Sequence, residues 1–165
     1  MQRLAAAEAD GVVLNFLSAA DVETVRSAAA EVDRIVEAPL EVAARVFVVP
    51  GEDSGAEIAA RRHIAGYLTV PVYAEFQRWL GRASALEAMW SAWSAGDRKA
   101  ATAAIPDDVV NDIVITGSPK ACAEGVRAYT ETGLDAVTIS LMPPHGAEFG
   151  ADQQIDFLNQ LGAEL

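Results

Sequence analysis

The chain has 165 residues, of which 52% are hydrophobic, so it is long enough and apolar enough for one domain with a buried core. Its 24 acidic and 12 basic residues give a net charge of −12, which argues against nucleic-acid and anionic-membrane partners. No apolar run reaches the roughly 18 residues of a membrane span, and the N-terminus has no signal-peptide pattern. We therefore expect a cytoplasmic protein with a single domain over residues 1–165.

The first third of the chain predicts helices that alternate with strands. Its strands are short apolar runs of the kind that is buried on both faces of a parallel sheet. Ser18, with Asp21 three residues later, has the spacing of a capping box at the start of a helix. The predicted elements are a helix at Gln2–Ala9, a strand at Gly11–Phe16, a helix from Ser18 to about Ala38 and a strand at Leu40–Val49.

A helical insert at about residues 51–113 interrupts this alternation. Two serines are followed three residues later by a glutamate, Ser54 by Glu57 and Ser84 by Glu87, which predicts two further capping boxes. Gly81 and Gly96 stand where helices would end. The predicted helices are at about residues 55–69, 71–80, 85–95 and 98–104, with a further turn near Asp107.

The segment from Ile115 to Leu141 predicts one complete helix–strand unit. Ser118 is a suitable N-cap, and Pro119 suits the first helical position because its missing N–H needs no partner there. The apolar run Ala136–Leu141 follows as a strand, and a last helix is expected at about residues 152–161. The fold class is therefore α/β, with about three parallel strands that lie side by side in sequence order.

The loop after the first strand argues against a dinucleotide-binding fold. It reads NFLSAAD and lacks the GxGxxG pattern that brings a backbone close to a pyrophosphate. Three strands are also few for a self-contained sheet, since a barrel needs eight and an open sheet usually has five or six.

Three segments together resemble the luciferase-like monooxygenases, and in particular their deazaflavin-dependent oxidoreductase branch. The segments are ADGVVLNFLSAADV, RRHIAGYLTVPVYAEFQRWLG and ITGSPKACAEGVRAYTETGLDAVTISLMPP, in the order and spacing of that family. The resemblance runs from about Leu4 to Leu161. It implies a (β/α)₈ TIM barrel of roughly twice this length, of which the chain would supply strands six to eight.

The resemblance also implies a cofactor, coenzyme F-420 (a deazaflavin) or FMN, that performs hydride transfer. The family's phosphate loop and most of its ring pocket would precede Met1, so this chain alone should bind the cofactor poorly and should lack a complete active site. Two functions therefore stay open. The chain is either the C-terminal segment of an oxidoreductase or monooxygenase, or a non-enzymatic half-barrel that self-associates or binds a small ligand.

Two polar residues follow predicted strands, where barrel enzymes place their active sites. Asn15 either hydrogen-bonds a cofactor or substrate, or ends its strand by bonding to local backbone. His145, in the sequence MPPHG, is the candidate catalytic acid or base because its ordinary pKa lies near neutrality. The alternative for His145 is a solvated loop histidine.

The insert carries the remaining candidates. Arg61, Arg62 and His63 either grip a phosphate or acidic cofactor tail, or form a solvated basic surface. The aromatic residues of the insert either line an apolar pocket at the barrel mouth or belong to the core. These aromatics are Tyr67, Tyr73, Phe76, Trp79, Trp90 and Trp93.

Other reactive side chains have structural explanations. Cys122 lies on the apolar face of its predicted helix and is interpreted as a buried small hydrophobe. Capping explains Ser118. A helix N-terminus explains the acidic charge of Asp107 and Asp108, so no metal site is expected there or at Asp112.

A sheet of three strands leaves two open edges, at Gly11–Phe16 and at Ala136–Leu141. Open, apolar strand edges favour pairing with another chain. We therefore expect a homo-oligomer, or a complex with a complementary N-terminal half-barrel.

Overall fold

The computed structural model describes residues 2–165, which fold into nine helices and four strands around one parallel sheet. The elements in chain order are α1 (Gln2–Glu8), β1 (Gly11–Asn15), α2 (Ala19–Ala30), β2 (Glu41–Pro50), α3 (Ser54–Leu68), α4 (Pro71–Trp79), α5 (Ala83–Ser94), α6 (Arg98–Ala103), α7 (Asp107–Ile113), β3 (Val114–Gly117), α8 (Pro119–Thr130), β4 (Ala136–Leu141) and α9 (Ala151–Glu164). No helix in this part of the chain is long and apolar enough to span a membrane.

β2 is the central strand of the sheet. β1 pairs with it in parallel from Gly11 opposite Glu41 to Asn15 opposite Arg45. β4 pairs with it in parallel from Ala43 onward, where Ala136 is the partner. Both ladders use residues 43–45 of β2, so β1 and β4 lie on its two opposite edges. The predicted order of the three strands, parallel and adjacent, is confirmed.

β3 is a fourth strand that the sequence analysis did not predict. Its four residues pair in parallel with the last four of β2, from Phe47 opposite Val114 to Pro50 opposite Gly117. The strand begins directly after α7 and ends at Gly117, directly before the N-cap Ser118, so no loop separates it from either helix. A run of four residues that is not bounded by loops on both sides gives no strand signal.

The helix after β1 is shorter than predicted: it ends at Ala30 instead of near Ala38. The following segment binds α1: the N–H of Ile35 donates to the carbonyl of Ala7 at 3.0 Å, and Arg34 donates to that of Ala9 at 3.1 Å. The β-branched residues of this segment also have weak helix propensity.

The other differences between predicted and observed helices lie at the residues that cap their first turns. The Ser18–Asp21 capping box and the Ser118 cap are confirmed. Both capping boxes predicted for the insert are wrong. Asp53 caps α3 by accepting hydrogen bonds from the N–H groups of Gly55 and Ala56, one residue before Ser54. α5 begins at Ala83 with no side-chain cap, one residue before Ser84.

Alternate residues of β2 point into two separate hydrophobic clusters. On one face, Val42, Ala44, Val46 and Val48 pack against α2, α8 and α9. On the other face, Phe47 and Val49 pack against the helices of the insert, α3 to α7. The insert covers only the carboxyl-terminal half of this second face. Its amino-terminal half is open: Val13, Arg45 and Thr138 are exposed there.

Candidate functional site

Five ring side chains meet where β1 and β2 approach their carboxyl ends, and we call them the aromatic cluster: Phe16, Phe47, His63, Tyr67 and Tyr73. Phe16 stacks on Phe47 with 4.7 Å between ring centroids, and its centroid is 4.8 Å from that of Tyr67 and 5.0 Å from that of Tyr73. The His63 centroid is 4.5 Å from that of Phe47 and 4.9 Å from that of Tyr67. Helix α3 thus brings two of its side chains, one turn apart, onto the sheet.

The backbone at Phe16 has an unusual conformation that places its ring in the cluster. Its φ of +57° is left-handed, which is uncommon for a bulky residue and costs free energy. Gln77, which is completely buried, donates a hydrogen bond of 2.6 Å to the Phe16 carbonyl. Tyr129 holds the next carbonyl, that of Leu17, at 2.8 Å. These two bonds fix the loop after β1.

Arg82 connects this loop to the insert. It donates to Asp21 at 2.8 Å and to Asp112 at 3.1 Å, and the Arg82 and Asp21 side chains are only 11% and 13% exposed. Burial lowers the pKa of Arg82, but hydrogen bonds and charge from the two carboxylates raise it overall. A charge pair removed from water in this way holds α5 against the start of α2.

His63 is the polar member of the aromatic cluster. Its Nε2 atom is buried and has no hydrogen-bond partner among residues 2–165. Burial, together with the positive charge of Arg45, lowers the pKa of His63 from its ordinary value and so favours the neutral ring. An unsatisfied buried nitrogen costs about 1–3 kcal/mol. A ligand atom that hydrogen-bonded to Nε2 would recover part of that cost.

Asn15 lies at the end of β1, directly opposite Arg45 of β2. Its amide donates weakly to the carbonyl of Val13, at 3.4 Å, which is the local-backbone contact that the sequence left as one alternative. Arg45 donates to the Ser140 hydroxyl at 3.0 Å, and its guanidinium carbon is 4.9 Å from the Phe47 ring centroid. Binding of a cofactor by Asn15 stays a prediction.

His145 lies in the loop after β4, which folds against the start of α3. Its N–H donates to the Gly55 carbonyl at 2.9 Å. A Cβ atom at Gly55 would be 2.8 Å from the His145 carbonyl oxygen, so only glycine permits this approach. The His145 ring is exposed, with Nδ1 3.1 Å from Arg62, and it is not a member of the aromatic cluster. A catalytic role for it stays a prediction.

The sequence predicted that three consecutive residues of α3 could bind one phosphate together. Their side chains point in different directions. Arg61 is engaged by Glu57 at 3.0 Å, by Asp107 and by the Ile105 carbonyl. Arg62 reaches His145 at the surface, and His63 faces the aromatic cluster. The structure therefore does not assemble these residues into a single anion site. Contact of any one of them with a cofactor stays a prediction.

A cleft of about 350 Å³ opens at the carboxyl ends of β2 and β3. Four carboxylates line it, and its one cation, Arg61, is already paired. The carboxylates belong to Glu52, Asp53, Glu57 and Asp107. Such a lining repels phosphate.

The other insert aromatics lie away from the aromatic cluster. Phe76 and Trp79 stack on each other at 6.0 Å, and Trp90 and Trp93 lie beneath the guanidinium groups of Arg78 and Arg98. Trp90 and Trp93 line a separate cleft of about 260 Å³ among α3, α4 and α5. Of the six insert aromatics, Tyr67 and Tyr73 are the two that join the aromatic cluster, and their lining of a pocket stays a prediction.

Cys122 is buried, and its thiol lies 3.5 Å from the Gly117 carbonyl. Burial, with a smaller effect from Glu52, raises the pKa of this thiol to about 11, so it is protonated at neutral pH. This agrees with its interpretation as a small core residue. Asp112, for its part, pairs with Arg82.

Sequence reasoning missed Arg45, Gln77 and Arg82. Arg45 had one signal, since a cation inside an apolar strand is unusual. Gln77 and Arg82 had none, because their partners lie 30 to 61 residues away in sequence.

Comparisons with known proteins identify the family and the fold of the chain. The family described as luciferase-like monooxygenase matches residues 1–136, which is most of the chain. The chain therefore belongs to the luciferase-like monooxygenase family. Among curated proteins, no sequence matches it significantly.

Two solved structures share the fold. The coenzyme F420-dependent tetrahydromethanopterin reductase from Methanopyrus kandleri matches all of this chain with a TM-score of 0.58 and 19% identity. An F420-dependent secondary alcohol dehydrogenase, solved with an F420–acetone adduct, matches 97% of it with a TM-score of 0.57 and 14% identity. The chain spans 47% and 45% of those proteins. The predicted fold class, a partial α/β segment with a parallel sheet, is confirmed.

Proposed function

We propose that this chain is the C-terminal segment of an oxidoreductase of the luciferase-like family that uses coenzyme F420 or FMN for hydride transfer. Family membership and the two F420-dependent structures of the same fold support the class of reaction. The observation that carries the proposal is the aromatic cluster. It places planar apolar surface and one unpartnered nitrogen, Nε2 of His63, at the strand ends where barrel enzymes bind their ligands.

The residues of this chain fit one part of such a cofactor and not another. Tyr67 is 42% exposed and offers a ring face for stacking, and His63 offers a hydrogen-bonding atom. The acidic cleft at the ends of β2 and β3 does not fit a phosphate. We therefore assign one wall of the ring site to this chain and the phosphate site to the part of the barrel that it lacks.

The cofactor, when bound, supplies the hydride transfer. The chain's own residues position and shield the reacting groups. The rings of Phe16 and Phe47 exclude water from one side of the site. Neutral His63 orients a polar ligand atom without adding charge. His145 remains the proposed acid or base, and closure of its loop against α3 keeps it near the strand ends.

The experiment compares two proteins. One is this chain, and the other is the product of the reading frame extended upstream of Met1 to include strands one to five. Fluorescence titration with coenzyme F420 and with FMN is expected to show micromolar or tighter binding by the extended protein only. Tight binding by this chain alone would contradict the assignment of the phosphate site. An upstream sequence that encodes no such strands would contradict the enzyme segment itself.

The second candidate is a non-enzymatic half-barrel that associates through its sheet. The observation in its favour is the open half of the sheet face, where Val13 is 60% exposed although it belongs to a strand of the central sheet. In that case neither protein of the titration binds either cofactor.

A further inference from the structure

Four polar side chains lie together on the sheet face that carries the insert, and we call them the polar row: Asn15, Arg45, Thr138 and Ser140. The register places Asn15 of β1 and Thr138 of β4 on either side of Arg45. Residues in register on neighbouring strands point to the same face of a sheet. Ser140 follows Thr138 by two residues, and its hydroxyl accepts a hydrogen bond of 3.0 Å from Arg45. The register therefore brings the four side chains to one small area.

The polar row borders the aromatic cluster. Phe47 follows Arg45 by two residues on β2, and the Arg45 guanidinium carbon is 4.9 Å from the centroid of its ring. Phe16 follows Asn15 directly. Two residues of a strand span about 7 Å. A small ligand can therefore contact the rings of the cluster and the donors of the row at the same time.

The polar row has one positive charge and no acid. Arg45 makes no ion pair within residues 2–165, and Glu41, an acid on the same face of β2, is four residues, or about 13 Å, away. The amide of Asn15 makes one weak hydrogen bond, at 3.4 Å, and so has a donor to spare. Under the proposed function this face is the inner wall of a closed barrel. A guanidinium enclosed there needs a negatively charged partner.

We propose that the polar row binds a carboxylate group of the substrate, with Arg45 donating to its two oxygens. This assignment rests on the function proposed above, and it adds the class of substrate: a carboxylic acid whose apolar part lies against the aromatic cluster. The planar fork of an arginine matches the two oxygens of a carboxylate. The neutral donors beside Arg45 favour a ligand over a structural ion pair, because ligand sites combine an apolar lining with a few convergent polar groups.

Benzoate and benzamide test the proposal at pH 7 without a cofactor, because they share a ring and differ in charge. Both are titrated by NMR into this chain and into the protein extended upstream of Met1. Benzoate is expected to bind at least about tenfold more tightly than benzamide and to shift the signals of the polar row. Arg45→Gln should weaken benzoate binding by a similar factor and leave benzamide unchanged. Arg98→Gln is the matched control, since Arg98 is an exposed cation over the ring of Trp93.

His63 supplies a second readout that a structural role of Arg45 would not produce. Arg45 and Tyr67 are the polar groups that face its ring, and the charge of Arg45 contributes to the lowered pKa of His63. A carboxylate bound to Arg45 offsets that charge. Saturation with benzoate should therefore raise the pKa of His63, whereas benzamide should not. The signals of the exposed His145 serve as the reference in the same spectra.

Three results would overturn the proposal: no saturable binding of benzoate, equal affinity for benzoate and benzamide, or undiminished binding of benzoate by Arg45→Gln. Binding by this chain that is lost in the extended protein would also overturn it, because an acid from another strand would then occupy Arg45. Circular dichroism verifies folding. If Arg45→Gln unfolds the chain, Arg45→Lys replaces it, and loss of the planar fork should weaken benzoate binding several-fold.

The two proposals fail in different measurements. The titration with benzoate contains no cofactor, so its failure removes the carboxylate site and leaves the result of the cofactor titration as it is. An extended protein that binds neither coenzyme F420 nor FMN removes the proposed enzyme, and the substrate with it, whatever benzoate does.

Discussion

His63 occupies a position that an apolar ring would fill at lower cost. Its Nε2 has no partner, and the surrounding rings are aromatic. Replacing an unsatisfied buried polar group by an apolar one of similar shape is often stabilising. Under the proposed function, contact between Nε2 and a ligand at the strand ends offsets this cost.

His63→Phe is therefore expected to raise the free energy of unfolding by about 1 kcal/mol at pH 7.

The pH dependence of the unmodified chain's stability follows from the lowered pKa of His63. Above about pH 6.5 the ring is neutral in both the folded and the unfolded chain, and the free energy of unfolding is at its full value. As the pH falls, the unfolded chain takes up the proton first, so the free energy of unfolding decreases. Arg45 and Tyr67 are the polar groups that face the ring. His63→Phe should remove this acid sensitivity, whereas the exposed His145→Phe should not. Urea unfolding at pH 5 to 8 measures both, and destabilisation by His63→Phe at pH 7 would contradict the prediction.

Gly55 joins α3 to the loop after β4 through a close backbone approach. Gly55→Ala places a Cβ 2.8 Å from the His145 carbonyl oxygen and 3.0 Å from Asp53, so we expect a loss of about 1–3 kcal/mol and release of the loop. Gly66, in the same helix, has no atom within 4 Å of an added Cβ. Gly66→Ala should therefore stabilise α3 by up to about 1 kcal/mol. Thermal unfolding gives the stabilities, and protease cleavage within residues 142–150 reports the loop. Equal behaviour of the two variants would contradict the packing argument.

At the level of elements, the insert is attached to the sheet by polar groups as well as by its core. Arg82 crosses from the start of α5 to Asp21 near the start of α2. Arg82→Gln leaves Asp21 with little solvent and without its cation, so the expected loss of stability is about 3 kcal/mol. Arg98→Gln is the matched control, since Arg98 is exposed and lies over Trp93 without an acidic partner among the described residues.

Asp21→Asn in the Arg82→Gln background should recover part of the loss, because it removes the charge left unpaired. Denaturant unfolding of the unmodified chain, of Arg82→Gln, of Asp21→Asn and of the double variant completes this cycle. An Arg82→Gln variant no less stable than Arg98→Gln would show that the apolar core alone holds the insert.

Elements with local signals could be predicted from sequence. The Ser118 cap with Pro119 sets the start of α8, and Gly81 and Gly96 have the left-handed φ values, +89° and +84°, that helix ends require. Two of the misses have non-local causes. The shortening of α2 depends on a contact between Ile35 and α1, and β3 is a strand only because β2 extends far enough to pair with it.

The same limit applies to the site. Asn15 and His145 could be selected because strand ends and loops concentrate polar residues, and His63 because it follows two arginines. Whether they meet depended on the direction in which each side chain leaves its element. Residues 61–63 are adjacent in sequence, yet successive residues of an α-helix point about 100° apart, so the three diverged.

At the level of the whole molecule, the central position of β2 determines how long one of its edges stays unpaired while the chain is synthesised. Ala43 of β2 pairs with Ala136 of β4, so one edge of β2 lacks its strand until about 90 further residues have been made. At translation rates of 5–20 residues per second that interval is roughly 5–20 s. During it, the apolar run Val46–Val49 is a template for pairing with other nascent chains. The helices of the insert emerge in the same interval and can cover Phe47 and Val49 first. The long insert between β2 and β4 thus prolongs the exposure of the edge and also shields one face of the strand during that time.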